Sequence, residues 1–312
     1  MATTPFPLDP VQTAIAVAYT NTDYVADQVL PRAPVAAEKF KWYSFPVEES
    51  YRRPDTRVGR LSRPNEVTLS LTEELGQTLD YGLEDPVPLP DVEQGKLIGY
   101  DPLDHATMQL SDYLMIDREV RVAAKVFAAA TYPTGNKVQL SGNDQWSVAH
   151  DDSDPIADIV AAINACLVRP NRLLLGHEVW TFLRQHPRIV QAVHGNDGSV
   201  GITTRQQVAA LFELDRVVVG WAFLNTAKFG QEAVLSRIWG KHALVYRADP
   251  IASIGGKTAT FGLTAQFLTR FATTTFDRNI GLRGGTRVRV GESTAELVIA
   301  PRAAFFIEDA VE

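Results

Sequence analysis

Between Asp101 and Tyr132 the residues Ala106, Leu110, Tyr113, Ile116, Val120, Ala123, Phe127 and Ala130 recur every three or four positions, the period of one buried helical face. The spacing predicts a single long spine helix over 102–132. Asp101 before Pro102 marks its start, because the Asp side chain accepts from unpaired N–H groups and a proline in the first turn gives up no helical hydrogen bond. Pro133, Thr134 and Gly135 end it. Arg118, Arg121 and Lys125 lie off the stripe. Leu114, Met115 and Val122 lie off it too, which predicts a helix apolar on more than one side and a contact with another subunit.

Upstream, 1–38 contains one short apolar patch, Ile15 to Tyr19, before the proline-punctuated Val29 to Val35. This segment reads as an arm that orders only against another surface, since it buries too little to offset its chain entropy. From Phe40 to Leu75 a long hairpin is predicted. Its first strand is the aromatic run FKWYSFPV; its second alternates Val67, Leu69 and Leu71 with Thr68, Ser70 and Thr72. The tip between them carries Arg52, Arg53, Arg57, Arg60 and Arg63 against Asp55 alone. A two-stranded hairpin is marginal in water, so this one should lean on other structure, and its tip should meet an acidic partner.

Downstream of the helix a short strand is predicted around Lys137 to Leu140. Asp154 and Pro155 repeat the helix-start signal, and Ile156, Ile159, Val160, Ile163 and Leu167 form the next apolar stripe. A strand at Arg172 to Leu175, helices at Glu178 to Leu183 and Pro187 to Val193, a helix opened by the capping box Thr204/Gln207, and a strand at Val217 to Val219 describe a mixed sheet with helices packed on it. Leu235 to Trp239 and Ala243 to Tyr246 read as a strand pair. The remainder is β-rich: a long strand over Thr258 to Phe276, a short one over Arg287 to Val290, and an extended segment, Ala295 to Val311, interrupted at Pro301.

The 312 residues, 45% hydrophobic and 21% charged, are ordinary globular material, and a net charge of -7 disfavours a nucleic-acid-binding role. A single cysteine, Cys166, cannot close an intramolecular disulfide, and no secretory signal pattern opens the chain, which points to the cytosol. No run approaches the roughly 18 apolar residues that cross a bilayer. Candidate chemistry is thin. Ile254 to Thr258 (IGGKT) ends like a phosphate loop, but Ile251 stands where that loop needs glycine. His177 to Thr181 begins like a zinc-protease helix, but Thr181 replaces the second histidine. His177, His186 and His194 have no acid or cysteine at ligand spacing, and Cys166 sits on an apolar helix with no neighbouring base. No catalytic residue, metal or cofactor is implied.

The order of elements resembles the major capsid proteins of tailed bacteriophages, the HK97-like fold. Three stretches carry the likeness: GYDPLDHATMQLSDYLMIDREVRVAAKVF leading into TYPTGN, then NRLLLGHEVWTFLRQHPRIVQAV, and the closing ELVIAPRAAFFIEDAV. The resemblance implies an α+β fold with an N-terminal arm over 1–38 ordered on a neighbour and an extended loop over 39–85 overlapping an adjacent subunit. It further implies a peripheral domain of 86–150 and 251–312 containing the spine helix, and an α/β axial domain over 151–250. Copies would assemble as pentamers and hexamers of an icosahedral shell around double-stranded DNA that is touched only non-specifically, in the virion after assembly in the host cytoplasm. A separate scaffolding protein, a portal and a decoration protein are the other implied partners, with no membrane involved. Some family members cross-link through a loop lysine; here no lysine lies between Trp42 and Gln94, so a non-covalent shell is expected. Two other readings fit the same segments: an encapsulin-like nanocompartment shell, and a cytosolic α/β enzyme built on Val179 to Val219.

Overall fold

The structure is a computed structural model describing residues 8–44, 51, 53–67, 72–147, 153–195, 201–228, 230–249 and 260–312. The segment at Ile251 to Thr258 and the tip residue Arg52 lie outside the described residues. Helices α1 (Pro10–Ala18) and α2 (Ala26–Val29) precede strands β1 (Arg32–Pro34), β2 (Lys39–Ser44), β3 (Thr72–Gln77) and β4 (Leu79–Pro88). Helices α3 (Leu89–Ile98) and α4 (Pro102–Val126) lead to β5 (Lys137–Gln139), α5 (Pro155–Ala165), β6 (Arg172–Gly176), α6 (His177–Leu183), α7 (Pro187–His194) and α8 (Arg205–Leu211). The chain closes with β7 (Arg216–Gly220), β8 (Phe223–Asn225), β9 (Leu235–Arg237), β10 (Ala243–Tyr246), β11 (Gly262–Asp277), β12 (Gly285–Val298) and β13 (Ala304–Glu308).

Two sheets dominate, joined by α4. One has the order β1-β11-β12-β4, the other β5-β13-β10-β6-β7. The first half of α4 lays Ala106, Leu110 and Leu114 against Val87, Ala272, Val288 and Val290 of the four-stranded sheet. Its second half lays Val122, Ala123 and Val126 against Leu174, Leu244 and Phe306 of the five-stranded sheet. The opposite face of that sheet, with Leu173, Leu175, Val217, Val219, Val245, Phe305 and Ile307, is covered by helices through Ile159, Val179, Leu183, Ile189 and Val208. Alternate residues of one strand thus feed two cores, as the two-residue strand period requires.

The stripe on α4 is phased differently from the sequence reading. Leu114 and Val122 are core residues, whereas Tyr113 is 50% exposed and Arg118 is only 2% exposed. The second apolar side therefore reflects packing on two bodies within one chain. The helix also stops at Val126, not Tyr132. Tyr132 Oη donates to Val126 O at 2.6 Å and Thr131 Oγ1 to Lys125 O at 3.0 Å, so side chains satisfy the last carbonyls. The turn that follows buries the Tyr132 ring between Phe261 and Phe306, at 5.9 and 5.3 Å.

Other differences lie in strand partners. β9 pairs with β8 and not with β10, whose four residues are all buried between β13 and β6. β12 is one strand of 14 residues in which RVRV and AELV are continuous. Grouping by sequence put 137–139 and 304–308 with the spine helix, yet both pair into the five-stranded sheet. β13 presents Phe305 and Ile307 to one core and Ala304 and Phe306 to the other, and only an interior strand satisfies both faces. β4, the distal part of the predicted 39–85 loop, is paired along β12 from Leu79 to Pro88.

Candidate assembly surfaces

The predicted hairpin exists as β2 and β3, a two-stranded sheet in register from Lys39↔Gln77 to Ser44↔Thr72 and joined to no third strand among the described residues. Lys41 and Glu73 form a cross-strand ion pair. At its root Phe40 packs on a small cluster of Ala33, Leu263 and Ala265, and Thr78 N donates to Glu38 O at 2.9 Å. A Cβ on Gly76 would lie 2.5 Å from the Phe40 ring, so this packing needs glycine there.

Beyond the strands, Tyr51 Oη donates to Leu167 O at 2.9 Å, and the loop over 53–67 is exposed throughout. Asp55 shapes it, accepting from Arg57 N at 3.0 Å while its carbonyl accepts from Asn65 Nδ2 at 2.8 Å. Arg53, Arg57, Arg60 and Arg63 are all exposed and have no ion-pair partner among the described residues. Val58 and Leu61 stand between them, Leu61 99% exposed.

The N-terminal arm corrects the expectation that it buries little and needs a neighbour. Residues 8–34 are seated on their own chain. Asp9 caps α1, accepting from Val11 N and Gln12 N, and Asp9 N donates to Ala272 O at 3.2 Å. Gln12 is buried and bridges Asp104 and Thr107 of α4. Val25, Ala26, Val29 and Leu30 join the core under α4, and β1 runs parallel to β11.

Charged side chains fasten this seat. Asp27 accepts from Arg32 Nε at 2.8 Å and Arg118 Nη1 at 2.5 Å, and Arg32 Nη1 reaches Glu292 at 2.8 Å. Arg118 Nη2 also donates to Leu30 O at 3.2 Å and Thr264 Oγ1 at 3.0 Å. Burial works against the Asp27 charge, but Arg118 and Arg32 together hold its carboxyl below the ordinary range. Next to it, Glu119 accepts from Ala26 N at 2.5 Å and Trp239 Nε1 at 2.6 Å, tying arm, helix and β9–β10 turn together. Burial outweighs those donors and pushes the Glu119 carboxyl from its ordinary 4.5 up to about 7. Asp112 accepts from Tyr19 Oη, Asn21 Nδ2 and Tyr24 Oη, and burial, followed by the Asp112 charge, raises both phenols. Sequence reading missed this junction. Its one signal was the cluster of charges Asp117, Arg118, Glu119 and Arg121 between the apolar residues Met115, Ile116 and Val122.

The histidines of 177–194 and Cys166 are dispersed. His177 opens α6 and meets Trp221 edge-on at 3.9 Å between ring centroids. His186 is buried with Nε2 3.4 Å from Ser153 Oγ, and His194 is exposed at the end of α7. Cys166 Sγ donates to Ala162 O at 3.2 Å, and burial pushes its thiol up to about 12. Among the described residues no three His, Cys, Asp or Glu side chains are grouped to hold a metal, and no helix is long and apolar enough to cross a membrane.

No family model matches the chain. The major capsid protein of Pseudomonas phage JBD67 is 45% identical over 311 residues, covering 100% of this chain and 99% of that protein. Among solved structures, a phage-related protein from Bordetella bronchiseptica RB50 superposes with a TM-score of 0.75 at 21% identity, covering 98% and 99% of the two chains. The capsid protein of cyanophage P-SCSP1u superposes at 0.61 and 10% identity, covering 93% of this chain and 89% of its own. With 45% identity to a phage major capsid protein along its full length and this two-sheet, spine-helix architecture, the chain belongs to the major capsid proteins of tailed bacteriophages and carries their HK97-like fold.

Proposed function

We propose that the chain is the coat subunit of an icosahedral phage head, closing as pentamers and hexamers around double-stranded DNA through non-covalent contacts between copies. The observation that carries this reading is the β2–β3 hairpin, which adds no strand to either sheet and ends in an exposed basic loop. A feature that costs chain entropy and finds little support in its own subunit is accounted for by a neighbour. Four exposed arginines suit reversible assembly, since each exposed ion pair contributes only about 0.2–1 kcal/mol and many can be broken and remade before a shell locks. The net charge of -7 suits an interior that does not grip packaged DNA.

In this reading the four-stranded sheet with the first half of α4 forms the peripheral domain. The five-stranded sheet with its helices, β5 and β13 included, forms the axial domain around the symmetry axes. A scaffolding protein, a portal and a decoration protein complete the head, which forms in the host cytoplasm. Electron microscopy of the expressed chain after size-exclusion chromatography tests the proposal. Shells, tubes or capsomer rings are expected; a monomer near 34.3 kDa, both alone and with its scaffold, would overturn it. Heated in denaturing gel buffer, mature particles should release single chains, because no lysine lies between Trp42 and Gln94 to cross-link the loop.

A further inference from the structure

A second surface complements the basic loop in both sign and apolar character. Between Leu79 and Asp104 the chain carries seven acidic residues against a single lysine, Lys96. Glu84 and Glu93 are engaged by Arg287, Arg289 and Arg283. Asp85 and Asp91 are exposed and have no cation partner among the described residues. Both line a groove of about 490 Å³ between the end of β4, helix α3 and the first turn of α4. Ile98 and Tyr100 line it too, and Leu97 beside them is 86% exposed.

The groove has a fixed shape. A Cβ on Gly95 would fall 2.5 Å from Tyr100 O and 2.8 Å from Pro102 Cδ, so only glycine lets α3 lie this close to the start of α4. Gly99, at φ 72°, ends α3 in the left-handed conformation that turns the chain back.

Within one chain the loop and the groove do not meet. The loop precedes β3 and the groove lies at the C-terminal end of β4, so they stand at opposite ends of an extended run from Thr72 to Pro88 broken only at Thr78. We infer that the 53–63 loop of one copy seats in the α3 groove of the next, with Val58 and Leu61 against Ile98 and Leu97 and with Arg57 and Arg60 against Asp85 and Asp91. Such a contact joins two different patches, so it is heterologous and closes into rings when its rotation allows, which a capsomer requires. The inference rests on the shell reading and names the acceptor that reading leaves open.

Charge exchange tests it on the full chain, expressed alone or with its scaffold. Arg57→Glu/Arg60→Glu and Asp85→Arg/Asp91→Arg should each lower particle yield about tenfold or more, and the four changes combined should recover most of it. Thermal unfolding of all three variants should match the parent. Asp85→Arg/Asp91→Arg chains that assemble like the parent, or a combined variant no better than either pair, would overturn the inference while leaving the shell reading intact. A parent chain that forms no particles overturns both. As a second readout, Leu61→Cys/Ile98→Cys in a Cys166→Ser chain, treated with a flexible bismaleimide after assembly, should give chain-to-chain ladders on a denaturing gel. Single chains alone would refute the contact.

Discussion

Arginine is used in two opposite ways at the two ends of the arm-and-hairpin region. At the arm junction Arg32, Arg118 and Arg270 are largely buried among Asp27, Glu292 and backbone carbonyls. At the hairpin tip Arg53, Arg57, Arg60 and Arg63 are exposed, with no ion pair among the described residues. A buried charge must be paired within the chain, because losing its partner leaves desolvation uncompensated. An exposed charge loses little by waiting for a partner, since water solvates it meanwhile. The junction therefore holds one chain together, and the tip is free to hold two.

The largest way to break that contrast is Arg118→Met. It removes three hydrogen bonds, leaving buried Leu30 O and Thr264 Oγ1 and the exposed Asp27 carboxylate with one donor fewer each, and should cost about 3 kcal/mol in urea unfolding of the unassembled chain. Glu119→Gln comes next. Ala26 N and Trp239 Nε1 donate to different oxygens of the carboxylate, and the amide nitrogen that replaces one of them cannot accept, so a loss of about 1–3 kcal/mol is expected.

The same variant sharpens the comparison through pH. The Glu119 carboxyl is raised from 4.5 to about 7 in the fold, so between those values the folded chain holds this proton more tightly than the unfolded chain. Its contribution to stability is therefore highest at low pH and falls as pH rises toward 7. Asp27 and Glu84, held below their ordinary range, act in the opposite sense, and their stabilisation is lost as pH falls. Unfolding curves at pH 5 and 7.5 should show a parent-minus-variant difference that shifts against the parent at the higher pH. An equal difference at both would refute the assignment.

Tyr24→Phe should cost less, about 0.5–1.5 kcal/mol, because Asp112 keeps Tyr19 and Asn21 as donors. At the bottom of the scale, Arg57→Glu/Arg60→Glu should change unfolding of the unassembled chain by no more than about 0.5 kcal/mol. The same pair should abolish most assembly, and parent assembly should weaken with added salt as exposed charges are screened. If the tip variant destabilised the single chain as much as Arg118→Met, the division between the two uses of arginine would fall.

What the sequence determined by itself was local. Asp101 and Asp154 cap helices as read, accepting from Leu103 N and from Ile156 N and Ala157 N, and Thr204 and Gln207 close their box. Each of these is settled within four residues, where backbone donors find the nearest acceptor. The two strands of the hairpin and its basic tip were legible from the alternation and composition of each stretch, although their pairing joins residues far apart in sequence. The tertiary structure alone decided that β13 enters the five-stranded sheet, that β9 leaves β10 for β8, that Arg118 is buried and that the arm finds its seat on its own chain. Those choices weigh partners far apart in sequence, such as Arg118 with Thr264 or Ala33 with Ala265, through summed packing and desolvation. No local pattern holds that sum, so an arginine off the predicted apolar stripe reads as solvent-facing until the groups that pair with it are brought alongside.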